Sequence, residues 1–131
     1  MSNTPLQAWH HLVKNPDPAL LDDLLADDVV FHSPVVHTPQ VGKPIVKLYL
    51  SGALLVLSNE TFKYVRELVN GNEAMLEFEL QLDGLHMNGV DLIRWNEDGK
   101  IVDFKVMIRP LKAVNLIHQK MGEMLIRLKD G

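Results

Sequence analysis

The sequence predicts an α+β domain, with its helices gathered on one face of an antiparallel sheet. Three observations predict it: two short helical segments open the chain, the apolar period shortens to two from Thr61 onward, and an amphipathic segment closes it.

The first helix is expected over about 5 to 14, because Thr4-Pro5 supplies a capping residue and a proline at the first helical position. Leu6, Trp9 and Val13 then recur at helical spacing. Asp17-Pro18 repeats the device, and Leu21, Leu24 and Leu25 form one face of a short second helix. Val29-Val30-Phe31-His32-Ser33 reads as a strand that stops at Pro34. After a loop through His37, Pro39 and Gly42, Pro44 opens a third helix to about Leu57, with Ile45, Leu48 and Tyr49 on its inner stripe.

From Thr61, Phe62 and Tyr64 alternate with polar neighbours, as do Leu76, Phe78, Leu80 and Leu82, which predicts two strands joined at Asn70-Gly71-Asn72. A strand over 85 to 95, a turn at Asn96-Glu97-Asp98-Gly99 and a strand over 100 to 109 follow. Leu111, Val114, Ile117, Met121 and Leu125 place a final helix from Pro110 to about Leu128.

At 131 residues, one domain spanning 1–131 is expected. Seventeen acidic against 13 basic residues make nucleic acid an unexpected partner. The absence of cysteine excludes a disulfide framework, thiolate metal sites and a cysteine nucleophile, and fits a reducing cytoplasm. The first residues lack the basic and apolar regions of a secretion signal, and the longest apolar stretch, Ala53 to Leu57, is too short to span a membrane.

Two stretches carry a resemblance: Leu25-Ala-Asp-Asp-Val-Val-Phe-His-Ser-Pro34 and Gly89-Val-Asp-Leu-Ile-Arg-Trp-Asn-Glu-Asp-Gly-Lys-Ile101. They resemble the nuclear transport factor 2-like superfamily, in particular SnoaL-like and ketosteroid isomerase-like proteins. The resemblance implies a cystatin-like cone, in which a strongly curved sheet and its helices enclose a cavity, with an additional C-terminal helix. It also implies a homodimer through the sheet's outer face.

Alternation tests this independently. With Trp95 and Lys100 as neighbours across the hairpin, Asp91, Ile93, Trp95, Val102, Phe104, Val106 and Ile108 share one face, and Leu92, Arg94, Asp103, Lys105, Met107 and Arg109 share the other. Asp91 is then the one carboxylate on an apolar wall, where desolvation disfavours its charged form. The resemblance implies that Asp91, held neutral, donates a hydrogen bond to a developing oxyanion. The alternative is that Asp91 accepts bonds from a buried tyrosine or backbone amide and orders the core.

By the same resemblance the general-base position is Ser33 and the oxyanion-hole tyrosine position is Trp9, so the standard ketosteroid isomerase mechanism is not expected. Tyr49 is placed on the pocket side, able to pair with Asp91 or with a ligand. The expected cavity is lined by Trp9, Ser33, Tyr49, Phe78, Leu80, Trp95 and Phe104, anchored by Asp91, and takes a small, largely apolar or carbonyl-containing molecule.

Catalysis, if present, is proton transfer, isomerisation or cyclisation; the rival is a non-catalytic binding or dimeric interaction module. A Ser33, His37 and Asp91 triad lacks a nucleophile elbow, and an epoxide-hydrolysing set of Asp91, Arg94 and Asp103 needs two residues that alternate outward. Glu77 and Glu79 also alternate outward. The scattered histidines lack metal-ligand spacing, so neither a metal nor another cofactor is expected.

Overall fold

The computed structural model describes residues 4–130; residues 1–3 and 131, which the single-domain expectation includes, lie outside it. Helix α1 (Pro5–Lys14) starts at a capping box, in which the Gln7 amide donates to Thr4 Oγ1 at 3.1 Å and the Thr4 amide donates to Gln7 Oε1 at 3.0 Å. Helix α2 (Pro18–Leu24) starts where Asp17 Oδ1 accepts the Ala19 amide. Strand β1 (Leu25–His32) follows directly, and strand β2 (Gln40–Val41) turns back against it. Helix α3 spans Lys43–Leu57.

The long strands are β3 (Lys63–Asn70), β4 (Glu73–Leu82), β5 (Leu85–Trp95) and β6 (Ile101–Arg109), and helix α4 (Leu111–Asp130) closes the fold. All six strands form one sheet in the order β2-β1-β6-β5-β4-β3. Between β4 and β5, Asp83 and Gly84 both take positive φ, 51° and 79°, the backbone hand that lets a two-residue turn follow the twist of its strands. The core lies between the sheet and the helices, with Leu12 of α1, Val46 and Leu50 of α3, and Leu76, Ile93 and Phe104 of the sheet all buried.

Gly89 of β5 faces Phe78 of β4. A Cβ there would lie 2.5 Å from Phe78 Cζ and 2.6 Å from the Met107 carbonyl oxygen, so only glycine leaves room for the Phe78 ring at this position.

Three local expectations change. Strand β1 begins at Leu25, four residues before the β-branched run, because it pairs with β6 on both sides of an irregularity between Leu25 and Val30. That β1–β6 pairing is parallel, within an otherwise antiparallel sheet. At the last hairpin Trp95 pairs with Ile101, not Lys100, through a shift between Arg94 and Trp95. The shift buries Ile101 and leaves Val102 half-buried, whereas Phe104 and Val106 keep the expected face.

Candidate functional site

Asp91 sits in mid-β5 between Leu76 of β4 and Val106 of β6, and alternation turns it inward with Ile93 and Trp95. It is 6 % exposed and is the one buried charged residue among those described. Tyr64, near the start of β3, lies opposite Phe78 on the same inner face. The Tyr64 hydroxyl donates to Asp91 Oδ2 at 2.6 Å, and Trp9 Nε1 of α1 donates to the Tyr64 hydroxyl oxygen at 3.0 Å. A helix, an edge strand and a central strand are thereby joined by one hydrogen-bonded chain.

The chain runs through apolar surroundings. Phe62 stacks on Phe78 with ring centroids 5.3 Å apart, Trp9 lies 4.9 Å from Phe104, and the Tyr64 ring meets Phe62 edge-on. Behind Tyr64, His10 packs edge-on against its ring and its Nε2 meets the Glu67 carboxylate, tying α1 to β3.

Burial pushes the Asp91 carboxyl up to about 7, opposed by the hydrogen bond from Tyr64, which favours the ionised form. Burial, and next the Asp91 charge, holds the Tyr64 hydroxyl well above the ordinary tyrosine range. Tyr64 therefore keeps its proton and donates to Asp91 in either state of the carboxyl. No deeply buried side-chain oxygen or nitrogen among the described residues lacks a partner. Asp91 lines a cavity of about 30 Å³.

Trp9, Phe78 and Phe104 line this inner cavity with Leu57, Phe62 and Val106. Ser33 and Tyr49 instead line a second cavity of about 210 Å³, walled also by Phe31, Ile108 and the Met121 side of α4. The two cavities share Ala53, Leu57 and Val106. Leu80 and Trp95 are buried on the sheet's inner face but line neither of these cavities, since they lie towards the ends of β4 and β5 whereas Asp91 is central; Leu80 instead borders a separate cavity of about 510 Å³ with Thr61, Lys63 and Arg109. The Asp91 partner is Tyr64, not Tyr49, whose ring lies 6.0 Å from Phe31 at the second cavity. Sequence reasoning placed Tyr64 in an alternating strand without assigning it to the site. Its signal was present, a hydroxyl-bearing aromatic in phase with Phe62.

The other constellations do not assemble. Ser33 Oγ accepts the Val35 amide at 3.1 Å, and His37 is exposed on the loop, so no triad forms with Asp91. Arg94 is exposed, and Asp103 pairs with His32 on the outer face at 3.0 Å, which separates both from the cavity. Among the described residues no three His, Cys, Asp or Glu side chains are grouped to hold a metal, and no helix is long and apolar enough to cross a membrane.

This arrangement of cone and buried carboxyl coincides with a family match, since residues 6–104 fit the SnoaL-like domain model. The chain belongs to the SnoaL-like family. A solved steroid delta-isomerase from Pseudomonas aeruginosa is similar to this SnoaL-like protein at 36 % identity over 97 % of this chain and 93 % of that one, with a TM-score of 0.89. A protein with a cystatin-like fold from Silicibacter pomeroyi is 34 % identical over 91 % and 83 % of the two chains, with a TM-score of 0.83. An NTF2-like protein from Mesorhizobium loti shares the fold at 21 % identity over 81 % of this chain and 88 % of that one, with a TM-score of 0.69. Among curated proteins none matches the chain.

Proposed function

We propose that this SnoaL-like protein binds a small, largely apolar carbonyl compound inside the cone, with protonated Asp91 donating a hydrogen bond to the carbonyl oxygen. The observation that carries this reading is a buried carboxyl that is held by Tyr64 and lines a cavity in an apolar wall. Below about pH 7 the neutral acid prevails. A neutral acid in a dry site stabilises negative charge developing on a carbonyl oxygen, so the reading supports proton transfer, isomerisation or cyclisation through an enol-like species. The similarity to a steroid delta-isomerase supports that class of chemistry. Removing the donor with Asp91→Leu should lower turnover of a carbonyl substrate by about 10²–10³-fold, and unchanged turnover would refute the role.

Ser33 favours a second reading, binding without turnover. It occupies the general-base position implied by the resemblance, lines the other cavity, and cannot abstract a proton unaided. Incubation with carbonyl-bearing polyketide-like and steroid-like compounds separates the two: product formation supports the enzyme, and saturable thermal stabilisation alone supports the binding module.

The same reading includes a homodimer through the outer sheet face. Leu68 and Met107 are exposed there beside half-buried Met75 and Leu92, and charged Arg66, Arg94 and Lys105 surround them. An apolar centre with a charged rim suits a second copy. Light scattering at micromolar concentration should report a dimer, and a monomer would remove this part of the proposal.

A further inference from the structure

The Tyr64 hydroxyl has two partners among the described residues, and their chemistry fixes the direction of its proton. Trp9 Nε1, 3.0 Å away, is a donor only, so the Tyr64 oxygen must accept from it. The single phenolic proton then has one acceptor, Asp91 Oδ2 at 2.6 Å. If Oδ2 carried the Asp91 proton instead, the phenolic proton would be stranded among the rings of His10, Phe62 and Phe78, and a buried donor without a partner is costly. The proton of the neutral acid therefore sits on Oδ1. Engaged with Tyr64, the indole N–H leaves the guest's hydrogen bond to Asp91.

Resting on the Asp91 reading above, we infer that Trp9 is a positioning residue for the acid: through Tyr64 it fixes the oxygen on which Asp91 carries its proton and strengthens that proton as a donor. A hydroxyl that accepts a hydrogen bond is polarised into a stronger donor, by about 10–30 % per bond. Donation from Trp9 therefore strengthens donation from Tyr64 to Oδ2, which favours the carboxylate and makes the neutral acid a better donor. The fold builds this chain from three elements. Trp9 is buried in mid-α1, Tyr64 lies near the start of β3 at the sheet edge, and Asp91 is central in β5.

Tyr64 is the one other titratable group among the residues that α1, α3, β3, β4 and β6 turn to the Asp91 cavity. Behind the Tyr64 ring stand His10 of α1 and Glu67 of β3, which meet each other. A histidine also takes up a proton near neutral pH, so His10→Gln serves as a control. Trp95, the second of the two tryptophans, is buried but lies outside this chain of donors, and its indole is an internal reference.

Nuclear magnetic resonance of the full chain without ligand tests this, following the Asp91 carboxyl carbon and both indole N–H groups from about pH 5 to pH 9. In the wild type and in His10→Gln, the Trp9 N–H signal should titrate with the Asp91 midpoint, and the Trp95 signal should not follow it. In Tyr64→Phe the Trp9 signal should lose that step. The change that Trp9→Phe makes to the Asp91 midpoint should be about 0.2–0.5 pH unit more positive with Tyr64 present than in the Tyr64→Phe background. That comparison cancels any water admitted by the smaller ring. If Trp9→Phe does not fold, the indole signals of the wild type decide alone. A Trp9 signal that stays flat through the Asp91 midpoint, or an equal change in both backgrounds, overturns the inference. The donor role of Asp91 is judged apart, by the turnover of Asp91→Leu: loss of turnover beside a flat Trp9 signal removes the Trp9 role alone. Unchanged turnover beside a titrating Trp9 signal keeps the Trp9 role and refutes the donor reading.

Discussion

Two carboxylates on the β4–β5 ribbon show how completely a sheet separates its faces. Asp91 lies opposite Leu76, and Glu77, the next residue along β4, lies opposite Val90. Alternation sends Asp91 into the cone and Glu77 to the outer face. Asp91 receives one side-chain hydrogen bond, from Tyr64, and burial raises its pKa to about 7. Glu77 accepts from Asn88 at 2.9 Å and from Arg66 Nε at 2.8 Å, and Asn88 Oδ1 accepts in turn from Arg109. The Asn88 hydrogen bond, ahead of the Arg66 charge, holds Glu77 below the usual carboxylate range. Carboxyl groups from adjoining positions of two paired strands thus shift in opposite directions, since one exchanges water for hydrocarbon and the other for fixed donors.

The largest test of this contrast is pH. The native state binds a proton at Asp91 more tightly than the unfolded chain does, so the resulting stabilisation is complete below about pH 4 and is lost as pH rises to about 7. The stability of the wild type minus that of Asp91→Asn should fall by an amount of order 4 kcal/mol across that interval and then level off. Urea denaturation from about pH 4 to pH 8 measures it, and a flat difference would mean that Asp91 is solvated and ionised.

A smaller effect is expected at the phenol. Tyr64→Phe leaves Trp9 Nε1 and Asp91 Oδ2 without their partner, costing about 1–3 kcal/mol in denaturation experiments. Because Tyr64 favours the ionised carboxyl, the same substitution should raise the Asp91 pKa above its native value, as followed by carbon NMR of the carboxyl. A downward shift would reverse the assigned role.

The smallest effect belongs to Glu77 and has the opposite pH sense. Its contribution is present above the ordinary glutamate pKa and is lost as pH falls through its lowered native value. Glu77→Gln should therefore lose slightly more stability near neutral pH than near about pH 3, as compared by urea denaturation. A larger loss at acid pH would contradict the outer network.

Much of the fold was legible because its signals are local. Thr4-Pro5, Asp17-Pro18 and Asn70-Gly71 mark boundaries through backbone geometry, and the change of period near Thr61 separates helix from sheet. The inward direction of Asp91 was legible for the same reason, since alternation within β5 needs no knowledge of neighbouring strands. The slip that exchanged Val102 for Ile101 was not, because a bulge depends on how two strands meet. Nor was the parallel β1–β6 pairing, which joins segments far apart in the chain.

The sequence by itself determined which residues face inward along β4 and β5, where the helices begin, and that one carboxyl lies on an apolar wall. Only the tertiary structure decided that Tyr64 rather than Tyr49 holds that carboxyl, that Leu80 and Trp95 stand away from the Asp91 cavity, and that Ser33 and Tyr49 line a different cavity from Asp91. Periodicity is written within single elements, whereas a hydrogen-bond partner and an unfilled volume depend on the distances between elements, set by packing of the whole chain.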